Sequence, residues 1–236
     1  MARLIFDIET IGEDFDSLDE TTKNYLTSWL KKESEDEAQY QKSLEDLKNH
    51  LGFSPLTGEV IVIGVLDDEK NSGVVYFQAP GEKIGEFSEA EFKFKQMTEA
   101  EMLKNFWEGI KSYNEFVSFN GRSFDVPFLM VRSAVHKIRP SKNLISHRYL
   151  DSQKADAIHI DLMDQLSFYG ALRKKGSLHL WTRIFNIKSP KTEGITGDDV
   201  SRLFKEKKYI EIARYNTLDL KATKALFDYW QTYLKF

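Results

Sequence analysis

Asp7 and Glu9 stand two residues apart in and just beyond the apolar run Leu4-Ile5-Phe6-Asp7-Ile8. In a strand, residues so spaced leave the same face, so both carboxylates point one way. Two like charges that close call for a cation, although the pair taken alone reads equally well as solvated acids at a strand end. Near the other end of the chain, Ile212, Tyr215, Asp219, Ala222, Leu226, Tyr229 and Tyr233 recur at spacings of three and four, which lines them along one helical stripe. Asp219 on that stripe faces a core, and a buried carboxylate must be neutralised, paired or bound to metal. Tyr215 lies one turn earlier on the same face, so a phenol and a carboxylate can serve one site; without such neighbours it is an ordinary core aromatic. Asp125 precedes Pro127 at a helix start, where capping is the everyday role for an acid. Four carboxylates converging with few soft ligands nearby suit a hard, oxygen-loving ion, Mg2+ or Mn2+.

Phe6-Asp7-Ile8-Glu9-Thr10, Asn120-Gly121-Arg122-Ser123-Phe124-Asp125-Val126-Pro127-Phe128-Leu129 and Tyr215-Asn216-Thr217-Leu218-Asp219 occur in that order. Together they resemble the three motifs of the DEDD 3′–5′ exonucleases. The tyrosine before the last Asp resembles the DEDDy branch, and the second motif is most similar to the proofreading domain of family-B DNA polymerases and the stand-alone exonucleases related to it. His159-Ile160-Asp161-Leu162-Met163-Asp164 and residues 191–197 resemble the same stand-alone group. The resemblance covers residues 3–10 and about 55 to the end, and leaves 13–50 unexplained.

What the resemblance implies is an RNase H-like fold in which Asp7, Glu9, Asp125 and Asp219 hold two Mg2+ or Mn2+ ions. One ion would activate the attacking water and the other would stabilise the leaving 3′-oxygen. Tyr215 would orient the water. The implied reaction removes nucleoside 5′-monophosphates from the 3′ end of single-stranded nucleic acid, DNA more than RNA. Candidate nucleic-acid contacts are Thr10, Asn120, Phe124, Arg173, Lys174, Lys175 and Lys191. Asn120 reads first as part of a structural Asn-Gly turn, and Asp161 reads either as a supporting acid or as a plain strand end. The five His residues show no metal-ligand spacing. The alternative is a catalytically silent nucleic-acid-binding or scaffold module of the same fold, which four retained acids and the tyrosine disfavour. A phosphatase of the haloacid-dehalogenase type fits less well, because Glu9 replaces the second Asp of its motif.

The elements that must position these groups read as an α/β fold on a mixed, five-stranded sheet flanked by helices. Strands are expected near residues 4–8, 60–66, 74–77, 116–119 and 158–162, and helices near 98–113, 177–185, 198–207 and 210 to the end. A further helix begins at Pro127. Thr98 and Glu101 form a capping-box signature. Residues 13–50 are charged and free of Gly and Pro beyond residue 13, which predicts a helical pair inserted into a single exonuclease domain spanning 1–236.

The chain has 236 residues, 41% hydrophobic and 13% aromatic, with 13 Gly and 5 Pro, enough to bury a core and unlike a disordered composition. Without cysteine there is no disulfide framework, thiolate zinc site, iron–sulfur cluster or cysteine nucleophile. No apolar run approaches the roughly 20 residues of a membrane helix, and the N-terminus runs straight into a strand-like segment, so a cytoplasmic protein without a membrane partner is the expectation. The net charge of −4 argues against coating nucleic acid by bulk electrostatics. Yet residues 126–191 hold twelve Lys and Arg against four acids, a net +8, while 13–50 carry −6. The basic block suits a polyanion track, and the acidic insertion suits a protein partner or self-association. Changing Arg173, Lys174 and Lys175 together to Ala should weaken oligonucleotide binding and reduce its salt slope by up to about one unit per lost phosphate contact. Titrations at several salt concentrations read this directly, and an unchanged slope removes the loop from the binding surface.

Overall fold

Alternation along Arg3–Gly12, the strand β1, sends Leu4, Phe6 and Ile8 to one face of the sheet and Ile5 to the other, all of them buried. The structure, a computed structural model, describes residues 2–188 and 197–235. Six more strands complete the sheet: β2 (Gly58–Asp67), β3 (Ser72–Phe77), β4 (Glu86–Glu89), β5 (Phe92–Gln96), β6 (Glu115–Ser118) and β7 (Ile158–Asp161). Their order is β4-β5-β3-β2-β1-β6-β7. β1 runs antiparallel to β2 and parallel to β6, and β6 is parallel to β7, so the mixed α/β architecture is as expected.

The sheet has seven strands instead of the five expected. The two additions form a hairpin through Ala90, whose φ of 48° makes the turn without a glycine or proline to announce it. Phe92 and Phe94 alternate with Lys93 and Lys95, burying the aromatic side and exposing Lys93. The fifth expected strand stops at Asp161, and Leu162 already begins a helix.

One face is covered by α4 (Glu99–Gly109) and α5 (Asp125–Val135), which bury Met102, Phe106, Trp107, Phe128 and Leu129 against Leu4, Phe6 and Ile63. The other face packs against α6 (Leu162–Leu166), α7 (Leu178–Ile184), α8 (Val200–Lys205) and the long α9 (Tyr209–Tyr233). Helix α4 carries the expected capping box between Thr98 and Glu101. Among the described residues, no helix is long and apolar enough to cross a membrane.

Residues 13–50 are helical as expected, but in three pieces: α1 (Glu20–Thr27), α2 (Leu30–Glu33) and α3 (Glu37–His50). Asp19 and Asp36 cap α1 and α3 through side-chain oxygens, and a break at Ser28–Trp29 divides the stretch 21–32, expected as one helix, into α1 and α2. The segment returns through a tight turn at Leu51–Phe53, where backbone meets backbone: a Cβ on Gly52 would lie 2.9 Å from the nitrogen of Gly12. Only glycine permits that approach.

At one end of the α4–α5 layer, buried Glu99 accepts hydrogen bonds from Arg132 at 2.7 and 2.9 Å and from the Val60 N–H at 2.8 Å, and lies 2.6 Å from Nε2 of His136. Burial by itself would raise the Glu99 carboxyl, but the bonds from Arg132, His136 and Val60 outweigh it and hold the group below the ordinary carboxylate range. The folded protein therefore binds this proton less readily than the unfolded chain. The resulting stability is complete above the unfolded value of about 4.3 and fades as pH falls through the folded one. Glu99→Ala strands Arg132 and an amide, and should destabilise by about 3–5 kcal/mol near neutrality, with a smaller difference from wild type in acid. Urea melts at two pH values measure both.

Candidate metal centre

Asp7 and Glu9 share the face of β1 that carries Ile5, and in the antiparallel ladder they stand opposite Gly64 and Val62 of β2. Helix α9 lies across that face, burying Ile212, Tyr215, Asn216, Leu220, Thr223, Leu226, Phe227 and Trp230. Its inward line differs from the expected stripe at the far end, where Tyr233 is 68% exposed and Trp230 takes the buried place. The packing delivers Asp219 to the strand: one carboxylate oxygen each from Asp7, Glu9 and Asp219 lie within 4.8 Å of one another.

Asp125 arrives from the neighbouring element. It is the first residue of α5, and Phe124 occupies the cap position without a side-chain cap bond. Instead of capping, the Asp125 carboxylate accepts the Ile8 N–H at 3.1 Å. Parallel pairing between β1 and β6 reaches only Ile5 and Val117, so this amide lies beyond the ladder and the side chain satisfies it. Asp161, at the end of β7, accepts the N–H groups of Asn120 at 2.8 Å, Arg122 at 3.0 Å and Met163 at 2.9 Å. It thereby ties down the turn that leads into Asp125, and Asn120 at φ 65° is part of that turn.

Burial and neighbouring negative charge raise the proton affinity of Asp7, Glu9 and Asp125. Burial and then the charges of Asp125, Asp219 and Glu9 push Asp7 well above the ordinary range. Glu9 is raised by burial and Asp219, against a hydrogen bond from Asn216. Asp125 is pushed up to about 7, by burial foremost, against backbone N–H bonds from its own residue and Ile8. Tyr215 hydrogen-bonds Asp219, and burial with the surrounding negative charge raises the phenol far above its usual value, so it stays protonated. His159 is a different case: buried, with Nδ1 2.8 Å from the Leu144 carbonyl and Nε2 2.8 Å from the Ser118 hydroxyl, it is lowered to about 4 by burial and remains neutral. It is a satisfied core residue.

Past the end of β1 opens a cavity of about 650 Å3 whose walls include Thr10, Asn49, His50, Phe53, Arg202, Lys205 and Glu206; none of the four acids lines it, and Thr10, next to Glu9, is its link to the first motif. Thr10 donates its hydroxyl to the Gly52 carbonyl at 2.7 Å, joining the end of β1 to the 51–53 turn. Phe53 is half exposed and meets Phe124 edge-on, with centroids 6.4 Å apart. Phe53 and Asn216 carry no mark in the sequence: the first follows a segment that no motif explains, and the second sits at an unmarked motif position. Arg173, Lys174 and Lys175 are exposed in the loop before α7 and do not line this cavity. Lys191 lies outside the described residues.

Among the described residues, no Lys or Arg pairs with Asp7, Glu9 or Asp125. No basic side chain is there to neutralise this oxygen-only donor set, which fits a divalent hard cation. Without one, the folded protein holds more protons than the unfolded chain between the unfolded carboxylate values near 4 and folded values that reach about 7 at Asp125. Metal-free stability therefore falls as pH rises across that window and is fully present only below it. The melting temperature in chelator should drop from about pH 5 to about pH 8, Asp7→Asn should flatten the drop, and Mg2+ or Mn2+ should reverse it at the upper end. A flat wild-type profile would show that the acids do not repel.

A family model described as "Predicted 3'-5' exonuclease related to the exonuclease domain of PolB" matches residues 73–235, a span that takes in Asp125, Tyr215 and Asp219 and begins after β1. A comparison with curated proteins returns no match. Among solved structures, the family B DNA polymerase from the hyperthermophilic archaeon Pyrobaculum calidifontis is similar over 98% of this chain, with a TM-score of 0.59 and 14% identity. The likeness is one of fold, and the chain spans 24% of that polymerase. Matched over more than half its length, the chain belongs to the family of predicted 3′–5′ exonucleases related to the exonuclease domain of PolB.

Proposed function

We propose that this protein is a metal-dependent 3′–5′ exonuclease that shortens single-stranded nucleic acid, DNA in preference to RNA, and releases nucleoside 5′-monophosphates. The observation that carries the reading is the convergence of Asp7, Glu9 and Asp219 within 4.8 Å, with the charge of Asp125 near enough to raise the proton affinity of Asp7 and Glu9. In this reading Asp7, Glu9, Asp125 and Asp219 hold two Mg2+ or Mn2+ ions. When bound, such ions supply positive charge where an attacking water loses its proton and where the 3′-oxygen departs.

The chain's own groups do the rest. Tyr215, kept protonated by its surroundings, is unsuited to act as a base and instead orients the water by hydrogen bonding. Thr10 and Phe53 line the cavity and Phe124 packs against Phe53, so an aromatic face is available to stack on the terminal base. Asn120, Arg173, Lys174, Lys175 and Lys191 complete the proposed contacts with nucleic acid, the basic residues through phosphates. Residues 1–236 act as one exonuclease domain, and the 13–50 insertion offers Tyr25 (80% exposed) and Trp29 (49%) to a protein partner or a second copy.

Oligonucleotides of DNA and RNA, each blocked at one end, test the reaction. With Mg2+ or Mn2+, strands with a free 3′ end should shorten stepwise, and 3′-blocked strands should survive. Asp7→Ala or Asp219→Ala should abolish turnover. Tyr215→Phe should lower kcat by roughly 10- to 1000-fold with little change in oligonucleotide affinity; equal losses in both would make Tyr215 a packing or substrate-contact residue. Shortening from the 5′ end, or full activity of Asp219→Ala, would overturn the proposal.

A further inference from the structure

Asn216 is completely buried in the middle of α9. Its amide nitrogen donates to Oδ2 of Asp7 at 2.7 Å and also hydrogen-bonds Glu9. An amide NH2 has two donors, so one side chain can serve both carboxylates of β1. The other end of the amide is unserved: Oδ1 is buried and has no hydrogen-bond partner. Leaving such a carbonyl unpaired is unfavourable by about 1–3 kcal/mol. A residue chosen for packing alone would avoid that by being apolar, and would fit the same helix face. What the amide provides in return is its donor end, aimed at the two acids.

The space that the carbonyl occupies is made by Gly64. This residue stands directly opposite Asp7 in the β1–β2 ladder. A Cβ built there would lie 1.8 Å from Oδ1 of Asn216 and 2.8 Å from Leu220 Cδ1. Any side chain at 64 therefore displaces the amide or the helix. An acid, an amide and a glycine on three elements occupy one small volume, and each requires the other two.

We infer that Asn216, seated against Gly64, is a positioning residue that holds Asp7 and Glu9 in the convergent orientation a divalent cation needs, without neutralising them. This rests on the exonuclease reading above. The choice of side chain follows from charge. Lysine or arginine at 216 would cancel the negative charge and compete with the ion. Aspartate would add a further repulsion. Leucine would fill the volume but let the carboxylates turn away from each other. Among these side chains asparagine alone combines two donors with no net charge. Partners that orient metal ligands in this way typically contribute 10- to 100-fold in affinity.

The test measures Mn2+ binding by titration calorimetry, beside thermal melts in chelator and in Mn2+. It uses the full chain as wild type, Asn216→Leu, Asn216→Ala, Gly64→Ala and the Gly64→Ala/Asn216→Leu double variant. Wild type should bind Mn2+, and each single variant should bind roughly 10- to 100-fold more weakly. The double variant should be no worse than Asn216→Leu by more than about 2-fold, because both changes remove one shared interaction. Activity should follow the same order, recovering in part as Mn2+ is raised to saturation. Asn216→Leu keeps the helix-face volume, and Asn216→Ala serves if leucine prevents folding. Wild type without Mn2+ binding would overturn the metal-centre reading itself. Wild-type binding with unchanged affinity in the Asn216 variants, whatever their melting temperature, would overturn the positioning role alone. Multiplicative losses in the double variant would separate Gly64 from Asn216 and overturn the seat.

Discussion

Repulsion among carboxylates confined to one low-dielectric place is the constraint around which this fold is arranged. Asp7 and Glu9 leave the same face of a central strand, and the face they leave is the one that α9 must cover to close the core. Burying that face brings Asp219 toward them, so the hydrophobic contact that stabilises the fold also assembles the unfavourable charge. Neutral donors moderate the charge without removing it: the Asn216 amide for Asp7 and Glu9, the Tyr215 hydroxyl for Asp219 and the Ile8 N–H for Asp125. A site so arranged retains a demand for cations that the described neighbours of Asp7, Glu9 and Asp125 leave unmet.

The fourth acid shows how a loop is made precise. The turn into Asp125 is irregular and includes Asn120 in the left-handed region, a conformation that local sequence alone would not hold rigid. Asp161 fixes it by taking two N–H groups of the turn together with one of its own helix. Further along α5, Arg132 and His136 anchor on Glu99, which also takes an amide of β2. The helix that presents Asp125 at its first turn is therefore secured at its last. Burial raises Asp161 and would raise Glu99, yet the hydrogen bonds prevail only at Glu99. The difference is one of partners: Glu99 faces a guanidinium, whereas Asp161 faces N–H dipoles and the charge of Asp164.

Legibility in the sequence tracked how local the physics was. The spacing of Asp7 and Glu9, the stripe through Tyr215 and Asp219, and the Thr98–Glu101 box are properties of a single element, and each is seen in the structure. At Asp125 local sequence offers helix capping as the ordinary role beside metal ligation; the structure withholds the cap and turns its carboxylate to β1, a relation across 117 positions that no local pattern encodes. The β4–β5 hairpin was missed because Ala90 makes its turn without the residues that mark turns, although Phe92-Lys93-Phe94-Lys95 alternates as a half-buried strand should. Asn216 and Gly64 were unremarkable letters until the ladder and the helix brought them together, 152 positions apart in the chain.

The insertion shows why added chain can reach the centre without disturbing it. Its two ends meet where Gly12 and Gly52 touch backbone to backbone, and loop closure depends only weakly on the number of residues between such points. The three helices can therefore be carried on β1 with little strain on the carboxylates three and five residues upstream of Gly12. The same junction brings the insertion's exit against two of the motifs, because Thr10 holds the Gly52 carbonyl and the following Phe53 meets Phe124. Asn49 and His50, the last residues of an acidic segment, stand on the cavity wall for the same reason. The net charge of a segment thus says little about its ends: what faces the cavity is set by the glycine junction, while the acids of α1 and α3 cap their own helices farther out.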